Sequence, residues 1–227
     1  MSILNRKDIK NRMCEKDYSK KLLITPLLSE DQIGPASVDV RLGSSLVVPK
    51  KTYIESQDVT DSELVQQVER RRYDRIRLKY HTKFVLHPNT LILGVTYEYI
   101  SLPFNTFCTV ASRSSWGRLG LVVATASVVQ PGFRGCLTLE LVNLSESPIV
   151  LYPGLLVGQL VFYDVQAKGS EEITYDGRYD CPTEAGLPQF FVSRESKVLD
   201  REMAFWRKGY NYLQENTDKK ELSNCIE

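Results

Sequence analysis

Short apolar segments separated by turn residues fill the middle of the chain. Between residues 76 and 165, stretches rich in leucine, β-branched and aromatic residues alternate with prolines and glycines that favour turns. This spacing is typical of an all-β sandwich or barrel, and no segment here has the 3.6-residue period of a helix. The pattern predicts strands within 76–78, 83–87, 90–100, 107–112, 121–129, 136–143, 148–152 and 155–165.

A helical pattern precedes these strands at the start of the chain. Residues 2–21 are mostly charged, but Ile9 and Met13 lie four positions apart and therefore share one face of a helix. Ser2 and Asn5 are the candidate N-caps. Further on, residues 37–43 alternate strictly between polar and apolar, which predicts a strand with one buried face.

Charged and turn-forming segments surround the predicted strands. Residues 55–75 contain neither glycine nor proline and predict a short surface helix, whose arginines at 70–72 are flanked by acids. A solvated helix face explains that run better than a nucleic-acid patch. Residues 167–189 have the composition of a mobile segment, and 193–216 is a helix candidate. We therefore expect a β domain at 1–166, a mobile segment at 167–192 and a helical extension at 193–227.

Charge and cysteine content narrow the class of protein. The 29 basic and 28 acidic residues leave a net charge of +1, so the chain lacks the electrostatic footprint of a nucleic-acid-binding protein. No apolar run approaches the ~20 residues of a membrane span, and the polar N-terminus is unlike a secretory signal. The five cysteines are scattered and never form a C-x-x-C pair, which favours reduced thiols. We expect a cytoplasmic protein that binds neither nucleic acid nor membrane.

The same residues argue against a zinc-dependent deaminase. Such enzymes hold the metal with an H-x-E and a P-C-x-x-C motif. The chain has only His81 and His87, and neither is followed by that glutamate. A zinc-dependent nucleobase deaminase is therefore excluded, no zinc is expected, and no protein metal ligands are predicted.

The candidate chemistry is concentrated in residues 113–140. Arg113 and Arg118 bracket two hydroxyls, Ser114 and Ser115. Guanidinium groups and hydroxyl donors suit the oxygens of a phosphate. This group is the candidate anion site.

Glu140 is the second feature of this segment. It lies within an apolar strand, where burying a carboxylate is costly unless it has a purpose or a partner. In that strand it points away from Leu139 and Leu141. Two interpretations stay open on residue types alone: a functional carboxylate, or a salt bridge to a nearby arginine.

These segments, in their order, resemble the dCTP deaminase branch of the dUTPase-like nucleotide enzymes. The resemblance covers roughly residues 1 to 180, and the ordered set is far more specific than any single motif. It rests on Arg113-Ser114-Ser115, Arg118-Leu119-Gly120-Leu121, Thr125-Ala126, Pro131-Gly132-Phe133, Gly135, Leu139-Glu140, and the segments 36–43, 87–103 and 152–160.

The resemblance implies a distorted jelly-roll fold and hydrolytic deamination of dCTP to dUTP and ammonia. Glu140 would take a proton from water and pass one to the ring, while Ser114 and Arg118 would position the water and stabilise the developing charge. Arg113 and Ser115 would bind phosphates. The hairpin 125–130 would read the cytosine edge, Phe133 would exclude a 2′-hydroxyl, and a lid would cover the triphosphate. The corresponding hairpin and lid residues here are Thr125, Ala126, Val128, Gln130, Tyr175 and Arg178.

The resemblance also implies an assembly and a cofactor. It implies a homotrimer with sites between subunits, and Mg²⁺ bound with the substrate triphosphate rather than in a protein cage. It places the strand 37–43 in the trimer core, and we therefore interpret Asp39 and Arg41 as a structural ion pair.

The chain departs from the family pattern at Gln130, where an aspartate is usual. In dUTPases that aspartate activates water for pyrophosphate hydrolysis, so a glutamine argues against a bifunctional enzyme that carries dCTP through to dUMP. The lid differs as well, because Asp180-Cys181-Pro182 replaces a glutamine-rich run. A nucleotide-binding regulatory module without turnover is the alternative from another class of protein.

Overall fold

The computed structural model describes residues 2–50, 72–125, 128–165, 181–187 and 201–205. The helix expected within 55–75 falls almost entirely outside these ranges, and so do Ala126, Tyr175 and Arg178. Contacts divide the chain into one compact unit, Met1–Lys51 with Arg72–Leu187, and another, Thr52–Arg71 with Pro188–Glu227. In the second unit the described residues 201–205 are helical, as predicted for that part of 193–216. The boundaries expected near 166 and 192 stay predictions.

The first unit is built mainly from antiparallel strands, which confirms the mainly-β prediction. A six-stranded sheet has the order β4-β3-β6-β10-β8 with β1 also paired to β6, a four-stranded sheet has the order β2-β12-β7-β9, and β11 pairs with β5. The strands are β1 (Leu23–Thr25), β2 (Val38–Arg41), β3 (Ser45–Pro49), β4 (Tyr73–Arg77), β5 (Phe84–Leu86), β6 (Leu91–Ser101), β7 (Thr106–Ser112), β8 (Leu121–Val123), β9 (Val128–Val129), β10 (Arg134–Asn143), β11 (Ile149–Leu151) and β12 (Leu156–Asp164). The helical elements are α1 (Arg6–Met13), a 3₁₀ turn (Glu30–Gln32) and α2 (Ser114–Arg118).

The predicted alternation in β10 is present. Leu137, Leu139 and Leu141 face the core and are buried, whereas Thr138 and Glu140 face the other side and are partly buried. β6 is buried on both faces, which explains its long apolar run. Among the described residues, no helix is long and apolar enough to cross a membrane.

α1 is shorter than the predicted 2–21. The side chain of Asn5 caps it by accepting from the backbone N–H groups of Lys7 and Asp8. Ile9 is fully buried, but residues 14–20 offer no apolar face and lie exposed beyond the end of the helix. The helix is secured by Arg12, which donates to Asn105 and Thr106 and forms an ion pair with Asp164.

The described strands on either side of residues 126–127, expected to be joined by a hairpin at 125–130, pair with different sheets. β8 pairs with β10, whereas β9 pairs with β7 in the four-stranded sheet. The apolar run at 121–129 is therefore two short strands with different neighbours. The sequence pattern could not show this, because each strand is too short to carry its own period.

Residues 181–187, here called the strap, cover the outer face of the six-stranded sheet. Ala185 is buried against Val47, Leu93 and Val95. The carbonyl of Pro182 accepts from the backbone N–H of Cys136 at 2.7 Å. The backbone N–H of Gly186 donates to the hydroxyl of Thr138, and Glu184 forms ion pairs with Arg75 and Arg77.

Candidate active site

An open pocket of about 520 Å³ lies where β2, α2 and the start of β12 meet. Two guanidinium groups and a hydroxyl provide its polar lining, and its apolar lining comes from a tryptophan and leucines. The lining residues are Arg41, Arg113, Ser115, Trp116, Leu119, Gly154, Leu155 and Leu156. Its chemistry is that of an anion site with an apolar wall.

α2 is held in place by its first turn and by its tryptophan. The carbonyl of Arg113 accepts from the N–H groups of Trp116 and Gly117, which closes the turn. The indole Nε1 of Trp116 donates to the carbonyl of Leu156 at 2.7 Å, which ties the helix to β12. Ser114 and Arg118, on the same helix, are exposed to solvent.

Each guanidinium in the pocket is paired with an acid. Arg113 Nη2 lies 3.4 Å from Asp39 Oδ2, and Arg41 Nη1 lies 3.0 Å from Glu98 Oε1. The interpretation of Asp39 and Arg41 as a mutual ion pair was therefore wrong. The two side chains share a face of β2, but acids and bases from other elements lie closer to each of them.

Glu98, which was not predicted from the sequence as a site residue, is fully buried. Its Oε1 accepts from Gln32 Nε2 at 3.0 Å as well as from Arg41, and its Oε2 accepts from the backbone N–H of Arg41 at 2.8 Å. The burial of Glu98 could have been predicted from its position. Residues two apart in a strand share a face, and Glu98 lies on the same face of β6 as Ile92 and Ile100, which face the core.

Glu140 lies in a different environment from the pocket. It is directly opposite Leu93 of β6, and its backbone N–H donates to the hydroxyl of Thr125 at 2.8 Å. Burial raises the pKa of the Glu140 carboxyl. It forms no ion pair within the described part of the chain, so the alternative of a salt bridge to a nearby arginine finds no support there.

The structure thus divides the predicted site residues into separate groups. Arg113 and Ser115 line the pocket, and Ser114 and Arg118 lie on the same helix beside it. Thr125 and Glu140 adjoin each other elsewhere, without lining the pocket.

The remaining predicted residues lie on the segment around the 131–132 turn. Val128 and Gln130 are exposed. Phe133 is 5% exposed in a hydrophobic cluster with Ile100 and Leu102. Its predicted contact with a sugar stays a prediction, and its packing supplies another reason for an aromatic residue at this position.

No group of three or more His, Cys, Asp or Glu side chains that could hold a metal ion occurs among the residues with described positions. Mg²⁺ is commonly bound by substrate phosphates and water with few protein ligands. The donor set of the pocket, with its guanidinium groups and Ser115, fits the phosphates of a magnesium-bound polyphosphate rather than the metal itself. The cysteines Cys14, Cys108, Cys136 and Cys181 are free thiols.

Comparison with known proteins identifies relatives over most of the chain. A family model described as dCTP deaminase-like matches residues 3–165. The chain is 36% identical over 182 residues to "dCTP deaminase, dUMP-forming" of Methanosphaera stadtmanae, covering 78% of this chain and 87% of that protein. It is 38% identical over 167 residues to "dCTP deaminase" of Halorubrum lacusprofundi, covering 73% and 78%.

A solved structure shares the fold. The crystal structure of 2′-deoxycytidine 5′-triphosphate deaminase from Agrobacterium tumefaciens aligns with a TM-score of 0.53 at 24% identity. The alignment covers 70% of this chain and 47% of that one, so the chain spans about half the length of the solved protein.

Proposed function

Because this chain belongs to the dCTP deaminase-like family, we propose that it catalyses the hydrolytic deamination of dCTP, with dUTP and ammonia as products. In this reaction water adds to C4 of the cytosine and one of its protons reaches N3. The C4–N4 bond then breaks as the proton of the C4 hydroxyl passes to the amino nitrogen, which leaves as ammonia while C4 becomes a carbonyl. The observation that carries the proposal is Glu140, a partly buried carboxyl whose pKa is raised by burial.

The raised pKa suits a group that must both accept and donate a proton. A general acid–base works best when its pKa is near the operating pH, because both protonation states are then accessible. Glu140 accepts a proton from the attacking water as the bond between the water oxygen and C4 forms. It then supplies a proton to N3 of the ring. Ser114 and Arg118 are proposed to orient the water and stabilise the charge that develops at the tetrahedral centre.

The phosphate end of the substrate is assigned to the pocket. Arg113 can present two parallel donors to phosphate oxygens, and Asp39 holds its guanidinium in place. Ser115 adds a hydroxyl donor. Mg²⁺ bound to the triphosphate would offset the charge that these donors leave unmatched.

We further propose a homotrimer in which each site is shared by two subunits. Within one chain Glu140 does not line the pocket that contains Arg113 and Ser115. A second copy of the chain could bring its own Glu140 to the groups at α2, so that the site is completed between subunits. Closed cyclic assemblies supply the second copy through one repeated interface.

The product distinguishes this proposal from a bifunctional enzyme. The relatives carry both kinds of name, dCTP deaminase and dUMP-forming dCTP deaminase. A glutamine amide cannot remove a proton from water at neutral pH. Gln130 is exposed and carries no such base, which supports dUTP as the final product.

The test measures ammonia released from dCTP and separates dUTP from dUMP by chromatography, with Glu140→Gln as the inactive control. Ammonia with dUTP supports the proposal, and dUMP with pyrophosphate contradicts the role given to Gln130. Tight dCTP binding without ammonia identifies a nucleotide-binding regulatory module. Assays with CTP in parallel test the predicted exclusion of a 2′-hydroxyl by Phe133, since equal rates for both nucleotides contradict it.

A further inference from the structure

Arg41 lies across β12 from Arg113. β12 pairs with β2 on one side and β7 on the other. Arg41 is directly opposite Leu156, and the N–H of Arg113 donates to the carbonyl of Val157 at 3.5 Å. Two strand spacings, about 10 Å, therefore separate the backbones from which the two guanidinium groups enter one pocket.

The Arg41 side chain is held firmly but uses few of its donors. Its Nη1 donates to Glu98, and no bond from its Nε or Nη2 occurs within the ranges that the structure describes. The side chain is 14% exposed, and Arg41 lines the pocket. A guanidinium has five N–H donors, so most of them are available to a ligand.

The carboxylate of Glu98 supplies the positioning. It is fully buried, and each of its oxygens accepts a hydrogen bond from Arg41, one from the guanidinium and one from the backbone N–H. Gln32 donates to the same carboxylate and to the backbone carbonyl of Asp39, which ties the acid to β2. The alternative is that Arg41 serves only to neutralise the charge of Glu98. Neutralisation alone, however, does not require a guanidinium group, with its several N–H donors, beside a pocket.

We propose that Arg41 is a second polyphosphate-binding residue, positioned by Glu98, and that with Arg113 it makes the pocket prefer a nucleoside triphosphate to a monophosphate. This inference rests on the proposed function and assigns a residue that the resemblance to the family did not. Arg41 and Arg113 line one pocket, so their two guanidinium groups can bind oxygens of different phosphoryl groups in one chain of phosphates. A monophosphate has a single phosphoryl group, so it can use fewer of the donors that the two guanidinium groups provide.

The test uses Arg41→Lys in the full chain. A lysine can still pair with Glu98, but its single nitrogen leaves no fork for a phosphate. Binding of dCTP and dCMP with Mg²⁺ is measured by calorimetry in the Glu140→Gln background, where turnover is prevented. We expect dCTP affinity to fall by about 10- to 100-fold, as loss of a charged hydrogen bond does, and dCMP affinity to change by less than about threefold. Arg12→Lys, in another partly buried ion pair outside the pocket, is the matched control and should change neither affinity.

A second variant protects the test against misfolding. Arg41→Gln with Glu98→Gln replaces the ion pair by two amides and avoids an unpaired buried charge. It should show the same selective loss of dCTP binding with a cooperative melting transition. In the active background, Arg41→Lys should raise the KM for dCTP and leave kcat within about twofold, a split that a general loss of folding would not produce.

The outcomes separate the two proposals. Equal losses for dCTP and dCMP, or no loss for either, overturn the role of Arg41 and leave the deaminase proposal intact. Failure of the folded wild-type protein to bind dCTP overturns the proposed function, and the inference with it. Inorganic tripolyphosphate is the probe for the pocket itself. In both Arg41 variants its affinity should fall, as the affinity for dCTP does.

Discussion

Glu140 combines a carboxylate with an environment that disfavours its charge. It lies opposite Leu93 in the sheet, and no cation within the described ranges offsets its burial. A structural carboxylate in a strand is normally compensated by an ion pair, as Glu98 is by Arg41. The uncompensated one is therefore the better candidate for catalysis.

Glu140→Gln should reduce the rate of ammonia release by about 10²- to 10⁴-fold, since the amide cannot act as the general base. The affinity for dCTP should change little, because the proposed phosphate donors Arg41, Arg113 and Ser115 lie on β2 and at the start of α2. The measurement is steady-state ammonia release, with binding followed by calorimetry. Glu146→Gln, on an exposed loop, is the control and should retain full activity. Near-normal turnover in Glu140→Gln would remove the residue from the mechanism.

The raised pKa of Glu140 predicts two pH dependences. The log of kcat/KM should fall as pH decreases through a pKa that lies above the ordinary value of 4.5. For stability, the folded state binds this proton more tightly than the unfolded chain, so the free energy of unfolding decreases as pH rises from about 4.5 through the raised pKa. The Glu140→Gln variant should lack that decrease and become relatively more stable at higher pH in thermal melts.

A different result has a specific meaning. An acidic limb at or below 4.5 would indicate that a cation, such as Arg118 of the second copy in the proposed shared site, offsets the burial of Glu140, because a nearby cation lowers the pKa of a carboxyl. If the profile of kcat/KM has no acidic limb, or if that limb keeps its position when Glu140 is replaced by aspartate, the titrating group is not Glu140.

Some properties of single residues could be predicted from the sequence, and others could not. Arg113 and Ser115 were predicted as phosphate ligands from their type and order, and both line a pocket. The partners of Asp39 and Arg41 were predicted wrongly. Pairing across strands depends on which strands become neighbours, and the order β2-β12-β7 cannot be read from alternation within β2.

At the scale of elements, a hydrogen bond from the Trp116 side chain ties α2 to β12. Trp116→Phe removes the indole N–H that reaches the Leu156 carbonyl but keeps most of the apolar contact. We expect a loss of about 0.5–1.5 kcal/mol in the free energy of unfolding, and a higher KM for dCTP because Ser115 moves with the helix. Denaturant melts and kinetics provide the measurements. Tyr18→Phe, at an exposed ring, should change neither, and an unchanged KM in Trp116→Phe would show that α2 is held by other contacts.

The strap is attached at a glycine. A Cβ at Gly135 would lie 2.4 Å from Cδ of Pro182, and the residue has φ +140°. Gly154 has φ +93° but open space around the same position. Gly135→Ala should therefore destabilise the fold by about 1–3 kcal/mol more than Gly154→Ala, since only the former adds a collision to the backbone strain.

Denaturant melts of both variants make that comparison. Replacing Pro182 by glycine in the Gly135→Ala background should recover part of the loss, because it removes the colliding ring. Equal destabilisation by the two alanines would show that the strap adjusts without cost.

For elements, the sequence was most informative where strands are long. β6, β10 and β12 were all predicted close to their observed bounds, because long alternating or apolar runs carry a strong signal. The short strands β8 and β9 were merged into one, and α1 was predicted too long. The strap was not foreseen as a cover for the sheet, since its residues have the composition of a loop.

At the scale of the whole molecule, the separation of Glu140 from the pocket leads to a mixing experiment. Glu140→Gln and Arg118→Ala should each be inactive alone. If each site takes Arg118 from one copy and Glu140 from another, random mixing after dissociation should restore about one quarter of the wild-type sites, whatever the size of the ring. The measurement is ammonia release after co-refolding, with size-exclusion chromatography to confirm assembly. No recovery in a mixed and assembled sample would contradict a shared site.

The fold as a whole was predictable because turn signals and strand patterning agree over the central region of the chain. The assembly was not, because a single sequence contains one copy of every residue and no indication of which copy it meets. The number of subunits therefore stays a prediction from the resemblance to the family, and the mixing experiment tests sharing of the site independently of that number.

The contact between Gly135 and Pro182 also has a consequence for descent. The ring of Pro182 occupies the space that any side chain at position 135 would need. A mutation to a larger residue at 135 is harmful while the proline remains, and the φ of +140° at Gly135 keeps part of that cost even after the proline is lost. Across related sequences, a larger residue at 135 is thus expected only where position 182 has lost its proline, whereas glycine at 135 can persist without the proline.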